Sequence, residues 1–299
     1  MTGRRHDPLP LGEPGGLPYS KGLMARALVT AGVGIEQAYV LATRLELDLA
    51  TSGARAVELD RLEDVAAEVL GEPEGAQVVS RLRRHAALRA LDVPIVLLVG
   101  GATGTGKSMV ATEAAHRLGI TRVTSTDFIR HTIRAYFSEA RMPSVHHSSF
   151  EAGAAGGEIE AGFLEQTRNV LVGVEAAMER ALTEGWSMVI EGVHLVPGMV
   201  TAEIEGALVV HAVLQVETAE VHRTRFHVRD ASTGGVRAMH KYLDQLDEIR
   251  LLQATIVERA ERHSVPVIES SNPERAVAAL LELVLATSPV PTVQEVGRN

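Results

Sequence analysis

The sequence predicts an α/β protein in which a small all-helical domain precedes a doubly wound parallel sheet of five strands. Between residues 94 and 286, short apolar runs alternate with longer amphipathic segments, as in sheets whose parallel strands are joined by helices. A glycine-rich turn from Gly101 to Ser108 joins the first apolar run directly to a helical pattern. Before residue 92, the apolar residues recur only at helical spacing. These three observations together indicate the fold class.

The individual elements follow from the period of their apolar residues and from the glycines and prolines between them. Residues 140–157 are too rich in Gly, Ser and Pro to form regular structure throughout. The predicted strands are residues 95–99, 120–126, 187–192, 207–217 and 265–270. The predicted helices are residues 20–32, 35–50, 59–70, 74–91, 158–184, 218–230, 236–263 and 273–286, with two more that follow Gly106 and Ser125.

Composition changes along the chain predict five segments. Residues 1–18 are rich in Pro and Gly and are expected to be flexible. An arginine-rich helix is interpreted as a linker with a solvated basic face. The segments are a flexible N-terminus at 1–18, the helical domain at 19–72, the linker helix at 73–92, the sheet domain at 93–286 and a disordered tail at 287–299.

The composition excludes several classes of protein. No apolar run approaches the roughly 18 residues that a membrane-spanning helix needs. There is no cysteine for disulfides or thiolate metal sites. A net charge of −9 and 3% aromatic residues disfavour nucleic-acid binding, which uses basic tracts and stacking platforms. We therefore expect a cytoplasmic protein with neither a membrane nor a nucleic-acid partner.

The glycine-rich turn matches a phosphate-binding P-loop, Gly101-x-x-x-x-Gly106-Lys107-Ser108, in the strand–turn–helix context that this motif requires. Its glycines allow backbone N–H groups to surround phosphate oxygens, and the following helix presents its positive end to the same anion. Lys107 is expected to reach the β- and γ-phosphates as a catalytic residue, and Ser108 to bind Mg²⁺. The alternative is a glycine-rich turn between two core elements. The expected ATP-binding residues are Gly101, Ala102, Thr103, Gly104, Thr105, Gly106, Lys107, Ser108 and Met109.

Two carboxylates stand at the carboxyl ends of predicted strands, where doubly wound sheets bind ligands. Asp127 follows the strand that we expect beside the P-loop strand, so it can accept a proton from an attacking hydroxyl, hold the waters of a metal ion, contact the acceptor or cap the next helix. Glu191 follows three apolar residues, a Walker-B-like pattern that anchors Mg²⁺ through water; the alternative is a solvated carboxylate. His194, in the apolar segment after it, is either a substrate contact or a satisfied packing residue.

Further polar residues are candidates for binding an anionic small-molecule acceptor. Arg130 and Arg134 lie one helical turn apart, so they can grip an anion together or pair with nearby acids. His146, Ser148 and Ser149 lie in the polar loop, and their side chains suit a substrate-binding or lid loop better than a metal site.

Three arginines, Arg223, Arg225 and Arg229, follow the fourth predicted strand within about one and a half helical turns. Arginines in this place are suited to a catalytic lid, because closing them over the triphosphate neutralises the charge that builds up during transfer. The alternative is a solvated basic helix face.

The chain resembles the 2-phosphoglycerate kinase family from residue 18 to residue 286. The resemblance implies a P-loop kinase that uses ATP and Mg²⁺ to phosphorylate the free hydroxyl of 2-phosphoglycerate, giving 2,3-bisphosphoglycerate. It also implies that the N-terminal helices resemble an ATP-cone, a regulatory nucleotide-binding domain, with Lys21 and Arg26 near its ligand. The blocks that carry it are PYSKGLMARAL, GGATGTGKS, STDFIR, PSVHHSSF, VIEGVHLVPG, HRTRFHVR and KYLDQLDEIR, in that order.

Several alternatives remain open at this point. The acceptor can be another phosphorylated or carboxylated alcohol, such as 3-phosphoglycerate, glycerate or a cyclitol phosphate. A homo-oligomer formed through the N-terminal helical domain is a further expectation. A non-catalytic ATP sensor is a rival that Asp127 and the lid arginines disfavour. A nucleic-acid-directed ATPase is a second rival, which the charge and the aromatic content disfavour.

Overall fold

The computed structural model describes residues 19–54, 56–91, 93–152, 158–233 and 239–287, except for the side chains of residues 59, 86, 87, 89, 90, 229–233 and 239. The segment predicted to be flexible, 1–18, lies outside the described residues, as does the predicted tail beyond Thr287. The chain divides into two compact units: the second runs from Val93 to Leu283, and the first comprises the residues before it together with those from Val284 onward. Among the described residues, no helix is both long enough and apolar enough to cross a membrane.

Four helices of the first unit pack around an apolar core. Ser20 caps the first helix by accepting a hydrogen bond from the Leu23 amide at 3.4 Å. The left-handed Gly53 ends the second helix. The core includes Met24, Leu28 and Leu62. The helices are α1 (Lys21–Thr30), α2 (Ile35–Ser52), α3 (Leu59–Leu70) and α4 (Glu72–Ala90).

Helix α4 belongs to this bundle, which corrects its assignment to a linker over residues 73–92. Val78, Val79 and Leu82 are buried in the same core as α1 to α3. Gly75 approaches α3 so closely that a Cβ would lie 2.6 Å from the Ala67 amide nitrogen. Arginine patterning suggested a solvated face, but the buried valines and leucine on the opposite face determine where the helix packs.

The second unit is built on five parallel strands in the order β2-β3-β1-β4-β5. Val99 pairs with Glu191, and Glu191 pairs in turn with Ser125 on the other side of β3. The second strand is therefore separated from the P-loop strand by β3, which corrects the expectation that the two are neighbours. The strands are β1 (Ile95–Gly100), β2 (Val123–Ser125), β3 (Met188–Glu191), β4 (Leu208–Gln215) and β5 (Val267–Glu269).

Helices cover the sheet and place the carboxyl ends of the strands beside its loops. Helix α7 packs against the β1 and β3 side chains Val96, Leu98 and Ile190, and α10 packs near Val213 of β4. The helix predicted over 236–263 is two helices, because Gln245 leaves the helical conformation between α9 and α10. The helices are α5 (Lys107–Leu118), α6 (Thr126–Tyr136), α7 (Ile159–Thr183), α8 (Ala219–Thr233), α9 (Met239–Asp244), α10 (Leu246–Arg262) and α11 (Pro273–Thr287).

Candidate active site

The P-loop forms the turn between β1 and α5 and depends on glycine at three positions. Gly101, Gly104 and Gly106 have φ values of 134°, 88° and 84°, a region that side chains with a Cβ rarely adopt. A Cβ on Gly104 would also lie 2.7 Å from both His222 Nε2 and Phe226 Cζ. The glycine spacing read from the sequence is therefore required by the backbone of this turn and by the helix packed behind it.

Lys107, at the first residue of α5, reaches back across the loop. Its ammonium donates a hydrogen bond to the Ala102 carbonyl at 2.7 Å, and the Thr105 hydroxyl donates to the same oxygen at 3.0 Å. Burial lowers the pKa of the Lys107 ammonium, and the nearby carboxylates of Glu191 and Asp127 oppose this effect. The ammonium thus lies at the loop in an environment that favours a close anionic partner.

Ser108 and Glu191 meet at the mouth of the loop. The Ser108 hydroxyl donates a hydrogen bond to Glu191 Oε1 at 2.9 Å, and Glu191 is buried at the end of β3. A cleft of about 400 Å³ opens beside them, bounded also by Thr112, Phe128 and strand β2. Two oxygen groups are therefore brought together from α5 and β3, and they face an open cleft.

Asp127 lies in the first turn of α6 and is not the cap of that helix. The cap is Ser125, whose hydroxyl accepts a hydrogen bond from the Phe128 amide at 3.1 Å. The Asp127 side chain is 61% exposed, while Arg130 Nε donates to its Oδ1 at 3.0 Å. Partial burial raises the pKa of this carboxyl, but the charge and hydrogen bond of Arg130, with smaller contributions from His194 and His131, together hold the pKa below its ordinary value.

Arg130 is buried and its donors are engaged within the protein, and its expected role as a direct ligand of the acceptor stays a prediction. Besides Asp127, its Nη1 binds the carbonyls of Val145 and His147 at 2.8 and 2.9 Å. A guanidinium presents several donors in a plane, so backbone carbonyls satisfy it as well as an anion does. Arg134, one turn further along α6, is exposed.

The segment that Arg130 holds, residues 143–149, is called here the His-Ser segment. His146 Nε2 donates to the Phe137 carbonyl at 2.8 Å, and Ser148 forms a capping box with Glu151 at the start of a short 3₁₀ helix. Ser149 is buried. The segment is ordered by its own hydrogen bonds, and the roles of His146, Ser148 and Ser149 toward an acceptor stay predictions.

His194 has no exposed surface and both of its ring nitrogens are bound within the protein. Nδ1 lies 2.8 Å from the Thr126 hydroxyl, and Nε2 lies 2.9 Å from Oε1 of Gln166 on α7. Burial lowers the pKa of His194 to about 3, so its ring is neutral near pH 7. This position agrees with the alternative of a satisfied packing residue, and a direct contact with the acceptor stays a prediction.

Gln166 was not singled out from the sequence, although one signal pointed to it. It lies on the inward face of α7 three residues after the buried Phe163 and four before the buried Val170. A polar residue within an apolar stripe must find partners inside the protein, since an unsatisfied buried amide is costly.

Two side chains of α8 support the P-loop from behind. His222 Nε2 donates to the Thr103 carbonyl at 2.7 Å, and Arg225 Nη1 donates to the Thr105 carbonyl at 2.6 Å. Arg225 also binds the carbonyl of Ser270, whose hydroxyl donates to Thr105 at 2.7 Å. In this conformation Arg225 therefore contacts one backbone carbonyl of the loop, that of Thr105, and one after β5, that of Ser270. Arg223 is exposed, and the side chain of Arg229 lies outside the described residues.

The residues predicted to bind a regulatory nucleotide lie in the first unit. Lys21 Nζ contacts Glu46 Oε2 at 3.2 Å, and both side chains are about half exposed. Arg26 is exposed on α1. Their role toward a nucleotide stays a prediction.

The class of protein follows from the way these groups converge on one edge of the sheet. A P-loop that ends in lysine and serine faces the acid of the adjacent strand, and a second carboxylate stands at the start of α6. This arrangement on a parallel five-stranded sheet is that of an ATP-dependent P-loop kinase.

Comparison with known proteins identifies the family within this class. The chain is 33% identical over 279 residues to a 2-phosphoglycerate kinase of Pyrococcus furiosus, covering 90% of each chain. It is 34% identical over 280 residues to a 2-phosphoglycerate kinase of Methanothermobacter thermautotrophicus, covering 91% of each chain. The chain belongs to the 2-phosphoglycerate kinase family.

Comparisons with family models and with solved structures leave this family assignment unchanged. No family model matches the chain. Among solved structures, a shikimate kinase from Acinetobacter baumannii in complex with shikimate has a TM-score of 0.40 and 16% identity, covering 67% of this chain and 97% of that chain.

Proposed function

We propose that the protein transfers the γ-phosphate of ATP to the free hydroxyl of 2-phosphoglycerate, giving 2,3-bisphosphoglycerate and ADP. The observation that carries the proposal is the placement of Asp127 on the same edge of the sheet as Lys107, Ser108 and Glu191, in a chain of this family. The hydroxyl oxygen attacks the γ-phosphorus, the bond to the β-phosphate oxygen breaks, and the hydroxyl proton passes to the Asp127 carboxylate.

Asp127 suits the task of proton acceptor. Because Arg130 keeps its pKa below the ordinary value, the carboxylate is ionised near neutral pH, and its exposed side chain can meet a bound alcohol. Arg130 holds the carboxylate in one orientation, which limits the positions that the acceptor hydroxyl can take.

The donor side is formed by the P-loop and its ammonium group. The N–H groups of residues 101–108 are proposed to surround the β- and γ-phosphates, with Lys107 transferring its hydrogen bond from the Ala102 carbonyl to a phosphate oxygen. Burial lowers the pKa of the Lys107 ammonium, and the negative charge of nearby carboxylates raises it again. A phosphate next to Lys107 would act in the same direction as these carboxylates, which supports the exchange.

The Ser108–Glu191 pair fits Mg²⁺. Both groups present oxygen, the ligand that this cation prefers, and they lie 2.9 Å apart beside an open cleft. Ser108 is proposed to bind the cation directly and Glu191 to hold its waters. When bound, Mg²⁺ neutralises negative charge on the transferring phosphates.

The anionic groups of the acceptor require donors at the same edge. Arg134 is exposed on α6, and it is proposed to contact the acceptor with His146, Ser148 and Ser149 of the His-Ser segment. The exposed Arg223 is proposed to close over the transferring phosphate together with Arg229.

The test is acceptor-dependent ADP release by the full chain with ATP and Mg²⁺. 2-Phosphoglycerate is compared with 3-phosphoglycerate, glycerate and cyclitol phosphates, and the product is identified by ³¹P NMR. We expect 2,3-bisphosphoglycerate from 2-phosphoglycerate and its loss in Lys107→Met. ATP binding without ADP release from any acceptor would contradict the proposal and favour a nucleotide sensor. ADP release with a different acceptor would support a kinase activity but would replace 2-phosphoglycerate as the substrate.

We further propose that the first unit binds a regulatory nucleotide near Lys21 and Arg26. The support is the family resemblance of this segment and the exposure of Arg26 on α1. In the Lys107→Met variant, equilibrium dialysis should detect one remaining nucleotide per chain, and Arg26→Ala should remove it. Sedimentation with and without ATP then tests whether the chain forms a homo-oligomer. Absence of a second nucleotide in wild type would refute the regulatory site.

A further inference from the structure

A chain of buried hydrogen bonds links Gln166 to the residue before Asp127. Gln166, His194 and Thr126 have no exposed surface. Gln166 Nε2 donates to the carbonyls of Ser144 and His147, the latter at 3.1 Å, so its Oε1 faces His194. None of the three side chains can turn to water for a substitute partner.

The direction of every hydrogen bond in this chain is determined by its members. An amide oxygen only accepts, so His194 Nε2 must carry the proton that it shares with Gln166 Oε1 at 2.9 Å. In a neutral ring, Nδ1 then accepts from the Thr126 hydroxyl at 2.8 Å. A single tautomer of one neutral histidine therefore satisfies both neighbours.

The chain joins the candidate active site at both ends. Thr126 directly precedes Asp127, and it packs against Gly192, where a Cβ would collide with the threonine hydroxyl. At the other end, the His147 carbonyl accepts from Gln166 and also from Arg130 Nη1 at 2.9 Å, and Arg130 binds Asp127. The hydrogen bonds thus run from Asp127 through the His-Ser segment and α7 back to Thr126.

We propose that Gln166 and His194 are positioning residues for Asp127: they tie α7, the His-Ser segment and the start of α6 together, so that Arg130 holds the carboxylate in the orientation needed for transfer. The inference rests on the proposed function, because its kinetic readout is turnover of the acceptor. It concerns the acceptor side alone, since none of the hydrogen bonds named involves the P-loop.

Two substitutions at Thr126 separate this role from packing. Thr126→Val keeps the volume and loses the hydroxyl, whereas Thr126→Ser keeps the hydroxyl and loses a methyl group. We expect Thr126→Val to lower kcat by about 10- to 100-fold, as a misplaced catalytic group does, and Thr126→Ser to retain kcat within about threefold. KM for ATP should stay within about twofold in both, because the donor side is untouched. The opposite order, with serine impaired and valine normal, would overturn the proposal.

Gln166→Met and Thr167→Val form a matched pair on α7. Methionine resembles glutamine in shape but removes the hydrogen bonds to His194, Ser144 and His147, so kcat should fall as in Thr126→Val. Thr167 is equally buried, and its hydroxyl has no hydrogen-bond partner among the described residues, so Thr167→Val should match wild type. Equal loss of kcat in both variants would mean that any change in this part of α7 disturbs the enzyme, and would refute the specific role.

An NMR measurement on the wild-type protein tests the hydrogen-bond network around His194 separately from the proposed kinase activity. Imidazole ¹⁵N signals, assigned to His194 by comparison with His194→Gln, should show a neutral ring protonated at Nε2 from pH 5 to pH 8. A ring protonated at Nδ1, or one that titrates in this range, would overturn the network whatever the activity. Absence of ADP release with 2-phosphoglycerate would instead refute the proposed function, and the kcat comparison would then use the acceptor identified by the screen.

Discussion

Replacing Arg225 with alanine removes a guanidinium that holds the P-loop to the end of β5. The lost hydrogen bonds are those from Nη1 to the Thr105 carbonyl at 2.6 Å, from Nη2 to the Ser270 carbonyl and, more weakly, from Nη1 to the Ser270 hydroxyl at 3.4 Å. The Thr105 carbonyl still accepts a hydrogen bond from the Ser270 hydroxyl at 2.7 Å, so it is not left unsatisfied. Each charged hydrogen bond contributes about 1.5–3 kcal/mol, and water compensates part of this for a half-buried group.

A net loss of about 2 kcal/mol corresponds to roughly 30-fold weaker ATP binding, if an ordered loop is required for the nucleotide to bind. The assay is the ATP dissociation constant by titration calorimetry, together with kcat at saturating ATP. Arg225→Lys should recover part of the loss, because it keeps the charge but not the forked geometry. Thr224→Ala is the control on the same helix, since among the described residues the exposed Thr224 hydroxyl binds only the Glu220 carbonyl of α8.

The result that would refute this reasoning is an unchanged ATP affinity with a large fall in kcat. Arg225 would then act on the transferring phosphate, as expected of a lid arginine from the sequence. Arg223→Ala provides the comparison, because Arg223 is exposed and is proposed to act during transfer. We expect Arg223→Ala to lower kcat and to leave ATP affinity nearly unchanged.

Four further predictions address the acceptor side, the metal site and the core. Asp127→Asn should lower kcat by about 10²- to 10⁴-fold in a steady-state assay without changing ATP affinity. The pKa of Asp127 is held below its ordinary value in the folded protein. As pH falls, activity and the stability from its pair with Arg130 should therefore persist until the pH reaches this lowered pKa. Arg130→Met should raise the pKa of Asp127 and so move the acid limb of the rate profile to higher pH. Glu191→Gln should raise the Mg²⁺ concentration for half-maximal rate. Phe226→Ala should reduce the free energy of unfolding by about 3–5 kcal/mol in urea titrations, since Phe226 is buried between His222 and Tyr242.

The fold class and the P-loop could be predicted because both are encoded locally. Alternation of apolar runs with amphipathic segments determines which elements form, and the Gly101–Ser108 motif carries its own context. The strand order could not be obtained in this way, because periodicity defines a strand without naming its neighbour. Asp127 was therefore expected beside β1, whereas β3 lies between them.

The residues around the acceptor side show a second limit. Arg130 and His194 were recognised as important, but their partners are carbonyls and side chains that come from distant parts of the chain. A guanidinium or an imidazole has the same hydrogen-bonding capacity toward a substrate and toward the protein. Which partner it meets depends on tertiary packing, so the sequence alone did not identify Gln166.

The central place of β1 in the sheet separates the two halves of the reaction. The groups that support the P-loop, His222, Arg225 and Ser270, come from the β4 and β5 side, whereas Asp127 and Gln166 belong to elements on the β2 and β3 side. Substitutions on one flank can therefore alter which alcohol is accepted while leaving nucleotide affinity intact. A scaffold of this kind allows acceptor preference to diverge through evolution without rebuilding the machinery for ATP.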